Sequence, residues 1–260
     1  SRRQRQMCIR DRAENDGKNN LHSGPDVYQK RMWRVVENGD DHVTFLLHSP
    51  DGDQGYPGAL DMKVTYTLDE ENGLTIHYEA VPDQDTVINM TNHSYFNLNG
   101  HKSGSVLHHR MQLLSDAFTP ADAQSIPTGE VCSVDGTPMD FRSTKELGAE
   151  IDAAYEPLIL GNGYDHNWVL KNEGRFDKVA EVTGDESGIV MEVWTDRPGV
   201  QVYTANFLEN EAGRNGAVYQ KRDAVCLETQ NYPDAVHQKN FPEAICKKGE
   251  TYDTKTAVSY

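Results

Sequence analysis

Four short segments of the chain set an ionisable side chain beside an apolar run: His22 in NNLHSG, His93 in TNHSYFNL, Asp165 in GYDHNWVL and Glu228 in CLETQNYPDA. An imidazole titrates nearest neutral pH, so His93 can give or take a proton without a large pKa shift. Glu228 follows Ala224, Val225, Cys226 and Leu227. At the end of a buried strand, loss of water raises a carboxylate toward useful base strength. A histidine and such a carboxylate make a general acid and a general base. Beyond Glu228, the residues Gln230, Asn231, Tyr232 and Pro233 offer donors and aromatic surface of the kind that lines a sugar cleft. Each segment taken alone has a plainer reading. His93 is then a core histidine satisfied by a carbonyl, Glu228 a salt-bridged strand end and Asp165 an Asx-turn residue.

The elements that must position these residues read as short strands. Residues 60–68 (LDMKVTYTL) alternate Met62, Val64, Tyr66 and Leu68 with polar neighbours, the period of a half-buried strand. With residues 32–36, 42–48 and 74–81 they predict an antiparallel meander. Further strands are expected at 106–114, 164–171, 179–183, 188–195, 199–208 and 224–229, each bounded by Gly, Pro, Asp or Asn. The β-branched and aromatic content of 87–100 predicts strand there too. Residues 147–155 are the one stretch expected to be helical. Strands at short spacing with almost no long amphipathic helix indicate an all-β sandwich or barrel, and no internal repeat or linker interrupts them.

Composition narrows the function classes. Of the 260 residues, 41 are Asp or Glu and 25 Lys or Arg, a net charge of −16 that repels phosphate backbones and anionic membranes. Neither nucleic acid nor a membrane is an expected partner. No apolar run is long enough to cross a bilayer. Cys8, Cys132, Cys226 and Cys246 lack CxxC spacing, which suggests reduced thiols in a cytoplasmic protein. A metal site of His101, His108 and His109 is disfavoured, because adjacent strand residues face opposite sides.

In this order, NHSYFNL, GYDHNWVL, QVYTANFL and LETQNYPDAV resemble the aldose 1-epimerase (galactose mutarotase) family, and LHSG and FTPADAQSIPTGE fit it too. The resemblance covers nearly the whole chain after Glu14. It implies a large antiparallel β-sandwich with an open sugar cleft and an enzyme interconverting the α and β anomers of a neutral hexose such as galactose or glucose. No metal and no cofactor are implied. It also implies roles: His93 the general acid, Glu228 the general base, His22 a second active-site histidine, and Asp165 the carboxylate that holds sugar hydroxyls. Gln201, Tyr203 and Asn206 of QVYTANFL would lie near the cleft. The partner expected is a small sugar, and the chain a monomer or homodimer.

The family's usual N-terminal strands and its GR-x-ANRI-like arginine segment have no match upstream of Glu14. Residues 1–13, which hold five arginines, are therefore expected to be foreign to the native fold: a cloning scar, a misjoined reading frame or a fragment boundary. Residues 14–260 are expected to form a single, N-terminally truncated domain whose activity is impaired. Rival readings are a non-catalytic carbohydrate-binding sandwich, using Tyr95, Trp168, Tyr203 and Tyr232 as stacking rings, and a mutarotase-like epimerase acting on another sugar, including a phosphosugar. A glycoside hydrolase would need two carboxylates, Asp165 and Glu228, and would leave His93 without a purpose.

Overall fold

The computed structural model describes residues 12–260. Most of the arginine-rich head lies outside the described residues; within them, Ala13 N–H donates to Gln54 O at 2.9 Å. In chain order the strands are β1 (Arg34–Asn38), β2 (His42–Ser49), β3 (Leu60–Leu68), β4 (Gly73–Pro82), β5 (Thr86–Val87), β6 (Arg110–Leu113), β7 (Ala117–Thr119), β8 (Cys132–Ser133) and β9 (Lys145–Glu146). After one short helix, α1 (Glu156–Leu160), come β10 (Asp165–Val169), β11 (Asp177–Thr183), β12 (Val190–Thr195), β13 (Gly199–Tyr203), β14 (Glu211–Ala212) and β15 (Val218–Tyr219). The last three are β16 (Cys226–Gln230), β17 (Ile245–Cys246) and β18 (Tyr252–Ser259). The fold is all-β, built of antiparallel sheets in the sandwich class, as the strand pattern predicts.

Two compact units share the chain. The first runs through Met90 and takes in Ala235–Lys239 and Glu243–Lys255. Its meander β1-β2-β3-β4 pairs antiparallel in sequence order. Met62 and Val64 point into an apolar cluster with Leu47, Ile76, Tyr78 and Tyr252. Tyr66 and Leu68 keep the period but stand exposed, so the strand's far end does not reach the core.

The second unit comprises Thr91–Asp234, Asn240–Pro242 and Thr256–Tyr260. One of its sheets runs β9-β6-β11-β12 and goes on to the Thr256–Ser259 part of β18. Its other sheet has the order β16-β13-β10-β7-β8. One face of this second sheet is core: Trp168, Val200, Val202, Leu227 and Thr229 are buried, and Trp168 packs among Phe118, Phe141 and Tyr164. Period-two alternation then turns Asp165, Asn167, Gln201, Tyr203, Cys226, Glu228 and Gln230 to the opposite face. That face carries the chemistry.

Two expected elements form differently. Residues 147–155 are turns, although Leu147 and Ile151 are buried at helical spacing. Leu147 N–H donates to His109 O at 2.9 Å and Gly148 N–H to Leu107 O at 2.7 Å, which holds the segment's start against a neighbouring strand end, and beyond it Ala149 and Ala153 close only three-residue turns, to Glu146 O and Glu150 O. The helix starts later, where Pro157 occupies the first turn, a position that needs no N–H donor. Residues 88–100 form a loop instead of a strand. Only Phe96 bridges, exchanging both amide bonds with Val225 at 2.9 and 3.0 Å. Elsewhere the loop's Asx side chains take the ladder's place: Asn92 Oδ1 accepts from Ser94 N–H, and Asn97 Oδ1 from Asn99 N–H.

Candidate active site

Register places the polar face residues in two rows across β10, β13 and β16. Asn167, Gln201 and Glu228 are partners in one row; Asp165, Tyr203 and Cys226 are partners in the next. Asp165 and Glu228 thus stand on strands two spacings apart, about 10 Å between backbones, enough to flank a pyranose ring. Between them Gln201 Nε2 donates to Asp165 Oδ1 at 2.8 Å, and Gln201 Oε1 accepts from Gln230 Nε2 at 3.3 Å. This chain of amides fixes the orientation of Asp165 and Gln201. Gly199 keeps the face open, because a Cβ there would collide with Asn167 Oδ1 and crowd Tyr232.

His93 reaches this face from the loop. Its Nε2 lies 3.4 Å from Glu228 Oε1; the His93 side chain is 33% exposed and that of Glu228 10%. Tyr95 stacks on the imidazole with ring centres 5.0 Å apart, and Tyr203 meets it edge-on at 5.9 Å. Two aromatic walls therefore hold the ring plane. The loop is anchored by Asn97, whose Nδ2 donates to Gly104 O at 2.7 Å and Asp223 O at 3.0 Å. Leu98 N–H adds a bond to buried His109 Nε2, and His109 Nδ1 lies 3.0 Å from Asp185.

The electrostatics suit proton transfer. Burial pushes the Glu228 carboxyl up to about 8, and the nearby Asp165 charge pushes the same way. Asp165 is raised by burial too, against the pull of its Gln201 bond. A carboxylate with such a pKa holds a proton more strongly than an ordinary one, so it is a stronger base. His166, beside Asp165 in sequence, points into the core, where burial lowers it to about 4 and leaves it neutral.

The structure therefore brings together His93, Glu228, Asp165, Gln201 and Tyr203. Asn206 is spent elsewhere. It is buried, its Nδ2 donates to Gly161 O at 2.8 Å and Tyr164 O at 2.9 Å, and its Oδ1 accepts from Thr204 Oγ1 and Arg222 Nη1. Those contacts occupy its donor and acceptor sites. His22 belongs to the first unit, on a turn with φ 49°, where partial loss of water lowers its pKa. Gln230, which the sequence already places beside the cleft, stands on this face, and Cys226 and Asn167 join it without any signal of their own. Alternation from Glu228 and Asp165 is the signal that finds all three.

Comparison with known proteins bears on this geometry. The family model described as aldose 1-epimerase matches residues 5–259. Galactose mutarotase of Homo sapiens is 45% identical over 247 residues, covering 94% of this chain and 70% of that protein. Aldose 1-epimerase of Escherichia coli strain K12 is 37% identical over 251 residues, covering 95% and 72%. Among solved structures, an aldose epimerase homologue from C. elegans superposes with a TM-score of 0.84 at 27% identity, covering 94% of this chain and 73% of the other. Galactose 1-epimerase from Lactobacillus acidophilus gives 0.80 at 27% identity, covering 94% and 70%.

Proposed function

The chain belongs to the aldose 1-epimerase family, and from that premise we propose that His93 and Glu228 are the acid and base that interconvert the anomers of a neutral hexose such as galactose or glucose. The enzyme is an isomerase, and an aldose is its substrate. Glu228 removes the proton of the C1 hydroxyl while His93 Nε2 protonates the ring oxygen, and the C1–ring-oxygen bond breaks to give the open-chain aldehyde. Rotation about C1–C2 presents the other carbonyl face. The same groups then act in reverse: the neutral His93 recovers its proton as the ring hydroxyl attacks, and Glu228 returns its own to the new C1 oxygen.

The observation that carries this reading is the 3.4 Å approach of His93 Nε2 to Glu228 Oε1 on a face furnished with Asp165 and Gln201. Both reacting oxygens are bonded to one carbon, so a donor and an acceptor a few ångströms apart serve both at once. The productive state has the proton on His93 and none on Glu228. Tyr95 and Tyr203 offer apolar walls to the sugar's carbon faces, while Asp165 and Gln201 hold hydroxyls. His22 keeps its expected part as a second active-site histidine on its LHSG motif alone.

A neutral substrate suits this face better than a phosphosugar, because Asp165 and Glu228 repel a phosphate. Among the described residues no helix is long and apolar enough to cross a membrane. The net charge of −16 supports a protein that binds neither nucleic acid nor anionic lipid, and the scattered cysteines support a cytoplasmic one; monomer or homodimer is the expected assembly.

Exchange NMR on equilibrated galactose, glucose and galactose 6-phosphate tests the reading. Anomeric exchange above the buffer rate is expected for the two neutral sugars. Binding of galactose without exchange supports a carbohydrate-binding module instead, and exchange confined to the phosphate ester supports a phosphosugar epimerase.

A further inference from the structure

Proton transfer uses His93 and Glu228 and leaves a third reactive group of the same cluster unused. Cys226 is a free thiol, fully buried on β16, two residues before Glu228 and on the same face. One ligand atom each from His93, Cys226 and Glu228 lie within 4.8 Å of one another. We infer that these three side chains form a binding site for a thiophilic divalent cation such as Zn²⁺, which shuts down the catalytic pair on binding.

The donor set and its spacing argue for it. Zinc bonds of ~2.0–2.1 Å to nitrogen and oxygen put the edge of a coordination tetrahedron near 3.3 Å. The separation of His93 Nε2 from Glu228 Oε1 is already 3.4 Å. Two ligands are held by one strand, paired along its length with β13, so little chain entropy is lost in assembling them. A thiolate, an imidazole and a carboxylate together prefer zinc or cadmium over the hard cations magnesium and calcium. The fourth position stays open to water. Entry is from the side where His93 is one-third exposed.

On binding, the Cys226 S–H proton and any proton held by His93 Nε2 or Glu228 pass to solvent and sulfur–, nitrogen– and oxygen–metal bonds form, with no change of oxidation state. The imidazole lone pair that carries the proton to the ring oxygen, and the carboxylate electrons that accept the C1 proton, are both taken by the metal. Metal and sugar therefore exclude one another. The inhibition rests on the acid–base reading above; the binding does not.

Co²⁺ is the probe for binding, because a cobalt thiolate absorbs in the near ultraviolet and a tetrahedral cobalt centre in the visible. Titration of the full chain with Co²⁺ is expected to give both bands, lost on addition of Zn²⁺ and in Cys226→Ser, while Cys132→Ser keeps them. Polarimetry in parallel is expected to show Zn²⁺ inhibition that excess galactose relieves, with the inhibitory concentration raised about a hundredfold in Cys226→Ser relative to that variant's own metal-free rate. Should Cys226→Ser not fold, relief of the cobalt bands by galactose in the unmodified protein decides the same point. Absence of a thiolate band, or a band that survives Cys226→Ser, overturns the site; a band lost in Cys226→Ser but unaffected by galactose upholds the site and counts against the sugar-site reading. A thiolate band at Cys226 without inhibition upholds the site and counts against the acid–base reading.

Discussion

Burial makes Glu228 a base and also costs stability. Its carboxyl pKa is about 8 in the folded chain against an ordinary 4.5, so folding takes up a proton. Stability attributable to this group is present below pH 4.5 and is lost as pH rises through about 8. Glu228→Gln should therefore melt higher than the parent at pH 8, by on the order of 2 kcal/mol, with the gap closing toward pH 5; calorimetry at the two pH values measures it. The same raised pKa should place the acid limb of the kcat/KM profile well above pH 5, where an unperturbed glutamate would not. A limb near 4.5 would count against Glu228 as the base. Asn206→Ala belongs to a different class. Removing its amide leaves Arg222, Thr204 and two carbonyls short of buried partners, so chemical denaturation should show a loss of about 2 kcal/mol or more, with KM for galactose close to the parent's.

At the scale of elements, the catalytic histidine depends on a loop held by side chains. Asn97→Ala removes two bonds to Gly104 and Asp223 and frees the segment that aims His93. We expect kcat to fall about tenfold while KM for galactose changes little and melting shifts by about 1 kcal/mol. This loop was the least legible part of the site. Its apolar and aromatic letters match a strand, and nothing local reveals that Asn92 and Asn97 satisfy backbone amides in place of a ladder. The turns at 147–155 were hidden for a related reason: the partners of Leu147 and Gly148 are residues 107–109, distant in sequence. Strands were legible where alternation is strict. β3 forms over Leu60–Leu68 as its period-two pattern requires, and β16 puts Cys226, Glu228 and Gln230 on one face for the same reason. Register was not legible, so the Glu228–Gln201–Asn167 row emerged only from the pairing of three strands.

At the scale of the whole molecule, the charge of −16 acts by what it repels. A neutral sugar feels no long-range steering from it, so kcat/KM for galactose should vary less than twofold between low and physiological salt, as stopped-flow polarimetry would measure. A steep salt dependence would point to a charged substrate. The two compact units divide the chain without separating the acid from the base: the strand carrying Glu228 and the loop carrying His93 both lie in the second.

The account turns on one pair of side chains, and polarimetry on freshly dissolved α-D-galactose tests it most directly. The parent chain should speed the approach to the equilibrium rotation, while Glu228→Gln and His93→Gln, each folded, should fall by about 10²-fold or more toward the buffer rate. A folded Glu228→Gln that retains the parent's rate would contradict the account.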